Sequence, residues 1–80
     1  MIPLEEQLEL FDERRDDAWF ELVDMVGWDW KEIVALARER LIAGYHTYGD
    51  QMFRWGAAER RRNVLEELAD ALVYLTSGPV

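Results

Sequence analysis

The chain is 80 residues long, half of them hydrophobic, with no cysteine and a formal net charge of −8. That length supports one domain with one core, burying about 60% of the surface its unfolded form exposes; the lack of cysteine excludes disulfide staples, thiolate metal sites and cysteine nucleophiles together. No run reaches the roughly 20 apolar residues that span a bilayer, and the opening MIPLEEQLEL is acidic where a secretory signal would be basic, so a cytoplasmic protein with no membrane partner is expected.

The first segment carries Leu4, Leu8, Phe11, Ala18, Leu22, Met25 and Val26 at spacings that keep them on one helical stripe. Pro3 suits a first helical turn and Gly27 the position just past an end, which predicts a helix over about residues 3–26. Its outer face is strongly acidic. Residues 1–30 hold ten acids against Arg14 and Arg15, leaving −8, whereas residues 31–80 hold seven charges of each sign. All the net charge therefore sits in the first third of the chain. Direct DNA binding by this helix is disfavoured, and a basic partner surface would be favoured, with Asp12, Glu13, Asp16 and Asp17 as the contact residues.

A second helix is predicted over 29–48. Asp29 with Glu32 three residues on has the form of a capping box. The core stripe reads Trp30, Ile33, Ala37, Leu41, Gly44 and Tyr48, and Gly49 is placed to end the helix. The connection that follows, DQMFRWG, is rich in large apolar side chains, so Phe53 and Trp55 are expected to tuck under the bundle. A third helix, 57–76, is stopped by Ser77, Gly78 and Pro79. Leu65, Leu68, Leu72 and Leu75 form its apolar face, flanked by Val64 and Ala69. With no strand-like alternation of useful length, the fold class is an all-α three-helix bundle unit. Four tryptophans, Trp19, Trp28, Trp30 and Trp55, are many for one small core and predict a homo-oligomer, most simply a dimer.

On the third helix Glu59, Asn63, Glu66 and Asp70 fall within about 60° of one another, away from the leucines, and Glu67 flanks Asp70 on the other side. Mg²⁺ takes carboxylate and water oxygens, and two carboxylates a turn apart can bracket one ion. The same spacing also describes an ordinary solvated face. Arg60, Arg61 and Arg62 form the only basic run, at the end of a helix where the macrodipole opposes positive charge. Ion pairs with the acidic first helix, or between subunits, are the expected compensation; a nucleotide phosphate is the other candidate. Arg62 can also reach Glu66 one turn on. His46, the single histidine, shares a helical face with Glu32 and Glu39 but has no identifiable orienting partner, so packing or charge complementarity at the helix end is expected of it.

Glu66-Glu67-Leu68-Ala69-Asp70 followed by an apolar run resembles the EExxD half of the metal-binding signature of the all-α nucleoside triphosphate pyrophosphohydrolases, the MazG and dimeric dUTPase superfamily. The wider segment YHTYGDQMFRWGAAERRRNVLEELADALVYL is similar to the C-terminal part of small MazG-like proteins of bacteriophages; the resemblance covers about residues 39–76. It implies an all-α fold, Mg²⁺ held by Glu66, Glu67 and Asp70, and a triphosphate substrate attacked by water. The EExxE partner motif is missing. Glu39 is the remaining candidate fourth ligand, since Glu32 already has a capping role. Asn63, Arg62 and Tyr74 are candidate substrate contacts. Three functions follow: a MazG-like nucleotide and Mg²⁺ binder, possessing or having lost pyrophosphohydrolase activity; a nucleotide sponge; and a non-enzymatic acidic module that binds a basic host protein.

Overall fold

A computed structural model describes residues 1–79. Three α-helices follow one another: α1, Leu4–Trp28; α2, Trp30–Tyr48; and α3, Ala57–Thr76, with a 3-10 turn at Gln51–Arg54 between the last two. The all-α expectation holds, and α3 has the predicted bounds. Among the described residues no helix is long and apolar enough to cross a membrane.

The junction between α1 and α2 differs from the sequence reading. Gly27 lies inside α1, and the helix closes two residues later than expected, where the Asp29 amide donates to the Met25 carbonyl at 2.8 Å. Asp29 serves both helices, because its own carbonyl accepts from the Ile33 amide at 2.9 Å. A capping side chain needs an extended backbone beneath it to reach the free amides. Asp29 instead has φ −105° and ψ 23°, and its carboxylate makes no capping bond. The expected capping box with Glu32 is therefore not formed.

At the other end of α2 the expectation holds. The Gly49 amide donates to the Tyr45 carbonyl at 2.9 Å, and the chain turns with Gly49 at φ 63°, a positive value that favours glycine. In the connection Trp55 is half-buried, but Phe53 is left 79% exposed. Met52 replaces it as the inward residue: its Cε lies 3.3 Å from where a Cβ on Gly44 would stand. Gly44 thus admits the connection against α2.

The most extensive contact between helices is that of α1 with α3. Ala18 and Thr76 are buried, and Leu10, Phe11, Leu22, Ala71, Leu72 and Leu75 are half-buried around them. Leu4, Leu8, Val64 and Leu65, read from the pattern as core, are exposed. The reason is geometric: α2 contributes little to this contact and buries none of its own residues. A chain of 9.5 kDa with 7363 Å² of accessible surface exceeds the roughly 5,000 Å² of a compact monomer of that mass by nearly half.

Candidate functional site

The acidic side of α3 is built by helical spacing alone. Glu59, Glu66, Glu67 and Asp70 are exposed and Asn63 is half-buried. The Asn63 amide nitrogen donates to the Glu59 carbonyl oxygen one turn back, at 2.8 Å. That bond fixes the Asn63 side chain on its own helix. Arg62 Nε donates to Glu66 Oε1 at 3.0 Å, so the one-turn reach anticipated from spacing is realised. Both side chains are more than half exposed, which keeps such a pair weak, about 0.3–0.5 kcal/mol.

Arg60 and Arg61 have no ion-pair partner among the described residues, and Arg62 pairs on its own helix, so the basic run does not neutralise the acidic helix. On α1 the ion pair is local, Arg15 with Asp12 at 3.7 Å. Asp12, Glu13, Asp16 and Asp17 are all exposed.

Among the described residues no three histidine, aspartate or glutamate side chains converge closely enough to hold a metal ion. Glu39, on α2, is not drawn into a cluster with Glu66, Glu67 and Asp70. Tyr74 is 79% exposed near the end of α3. His46 is exposed too and meets the Tyr45 ring edge-on, with centroids 5.7 Å apart. The acidic face of α3 is thus an open strip of carboxylates, with one arginine already engaged.

The sequence reading missed a different arginine. Arg14 Nη1 donates to the carbonyls of Thr76 and Gly78, each at 2.9 Å, and Nη2 reaches Pro79 O at 3.4 Å. One guanidinium from the middle of α1 thereby satisfies the free carbonyl of Thr76, the last residue of α3, where a cation also complements the macrodipole, together with two carbonyls of the segment beyond. Alongside lies an open, mostly apolar cleft of about 490 Å³ lined by Ile2, Leu4, Leu8, Phe11 and Val73. A lone basic pair in an acidic helix was the available signal, but bonds to backbone carbonyls leave no pattern in the partner sequence.

No family model matches the chain, and neither a curated protein nor a solved structure shows significant similarity to it.

Proposed function

We propose that the protein is a MazG-like nucleotide binder that takes a nucleoside triphosphate together with Mg²⁺ along the acidic side of α3. The observation that carries the reading is the placement of Glu66, Glu67 and Asp70 within two turns of that helix, all solvent-accessible. The Tyr48-Gly49-Asp50 turn of the resembling segment is also a genuine helix stop.

The donor set suits Mg²⁺ in kind, since carboxylate oxygens are what a hard cation takes. Its small number is compatible with an ion that keeps several waters and takes its remaining oxygens from phosphates. Bound there, Mg²⁺ would neutralise phosphate charge. Glu66 and Asp70 would be the residues that hold the ion, and Arg62 could exchange its contact with Glu66 for a phosphate oxygen. The EExxE partner motif of the resembling family is missing from the sequence, so the reading favours binding over turnover: a degenerate pyrophosphohydrolase or a nucleotide sponge. Calorimetric titration of Mg²⁺ with each nucleoside triphosphate at millimolar concentration tests it. Heat that requires both components supports the reading, and no heat with any of them removes it.

A second reading rests on α1. Its exposed Asp12, Glu13, Asp16 and Asp17, with one weak ion pair among them, form an anionic surface suited to a basic protein partner.

A further inference from the structure

The helix with the least burial is the one whose sequence most demands it. No residue of α2 is buried, yet Trp30 is 59% exposed, Leu41 47%, Tyr45 64% and Tyr48 65%. Leu36 and Ile42 lie exposed on the flanks. An apolar stripe of this length that meets so little of its own chain belongs against a second surface. The surplus surface of the protomer agrees, as does a radius of gyration of 15.7 Å against about 12 Å for a compact chain of this length. An excess of more than 2,000 Å² over a compact monomer is on the scale that permanent dimers bury.

The pattern along α2 identifies what covers it. Trp30, Val34, Ala37, Leu41, Gly44 and Tyr48 follow one another at alternating steps of four and three residues and lie within about 80° on the wheel. Such alternation is the seam of a two-helix coiled contact. The residues differ in size in a particular order. If a second α2 runs antiparallel with its midpoint over Glu39, Trp30 meets the partner's Tyr48, Leu41 meets the partner's Ala37, and Val34 meets the partner's Gly44. Ala37 then receives a larger residue, and the aromatic residues close both ends. At Gly44 the partner's residue meets Met52, which fills the notch from its own chain and is flexible enough to adjust to a neighbour. A parallel pairing would set Leu41 on Leu41 and Ala37 on Ala37, leaving crowded and hollow layers in turn.

We propose that a second copy of this chain docks on α2, pairing the two helices antiparallel through Trp30, Val34, Ala37, Leu41, Gly44 and Tyr48. Seven-residue spacing puts Glu32, Glu39 and His46 on the side away from this seam, so the contact does not depend on the nucleotide reading.

The native chain has no cysteine, so engineered thiols report cleanly. Ala37→Cys and Leu41→Cys are made separately, and each is oxidised alone and then mixed with the other. The expected result is a disulfide-linked dimer in the mixture and little with either variant alone, because a disulfide requires Cα atoms within about 7 Å. Sedimentation equilibrium of the unmodified protein at tens of micromolar should give twice the 9.5 kDa chain mass. A monomer overturns the proposal. So does a dimer in which Leu41→Cys links efficiently to itself, the mark of a parallel seam, or one in which the mixture fails to link.

Discussion

Arg14 and Thr76 lie 62 positions apart in sequence, yet the guanidinium of one donates to the carbonyl of the other at 2.9 Å. The bond joins α1 to the end of α3, and the same side chain also reaches Gly78 and Pro79. Arg14→Ala should therefore destabilise the protein by about 1–3 kcal/mol, the range for losing bonds made by a charged donor. Arg14→Lys should recover only part of this, because an ammonium cannot serve several carbonyls with a planar fork. Urea denaturation at fixed protein concentration checks both.

Ala18 is 3% exposed, the only buried apolar residue among those described, in the region where α1 meets α3. Ala18→Leu should cost about 1–3 kcal/mol through overpacking, despite the good helix propensity of leucine. Thermal melts of the two proteins decide it. An unchanged melting temperature would mean that α1 and α3 are free to separate at this point.

Local signals were legible wherever one residue type answers one backbone need. Gly49 stops α2 at a positive φ, and Ser77 follows α3 at the expected end. Gly27 misled because a glycine near a helix end need not be the end; the Asp29 amide closed α1 later. The apolar stripe of α2 was legible as a face that wants burial. Periodicity does not report what covers such a face, and Trp30, Leu41 and Tyr48 are exposed. The carboxylates of α3 were likewise legible as one ladder. Spacing along one helix does not report whether Glu39, on another, comes near.

If Glu66 and Asp70 receive Mg²⁺ with a triphosphate, Glu66→Gln with Asp70→Asn should abolish the binding heat, because amides keep size and polarity but lose the charge a hard cation requires. The double variant should melt within about 0.5 kcal/mol of the parent, as both residues are exposed. Unchanged nucleotide binding in that variant would place the ligand elsewhere. Unchanged stability with no binding in either protein would leave α3 an ordinary solvated face.

If two copies pair on α2, the acidic surface of α1 opposes their approach. Each chain brings a net −8, carried by its first 30 residues, so association must overcome repulsion that salt screens over about 10 Å at 0.1 M. The seam on α2 is apolar, and burial of apolar area is little weakened by moderate salt. Dimerisation should therefore tighten as sodium chloride rises from about 20 to about 200 mM, a range over which the Debye length falls through that distance. Replacing Asp12, Asp16 and Asp17 with Asn removes three of those charges at the loss of one exposed ion pair, Asp12 with Arg15. The triple variant should be more stable than the parent in low salt and show a weaker salt dependence of association. The same variant separates the two functional readings. If the face serves a basic partner, a polycationic peptide should bind the parent in low salt and lose most of that binding with the triple variant, while triphosphate binding on α3 stays as it was. A triple variant less stable than the parent would show instead that these carboxylates already meet cations within the assembly, with Arg60 and Arg61 across the dimer as the first partners to test.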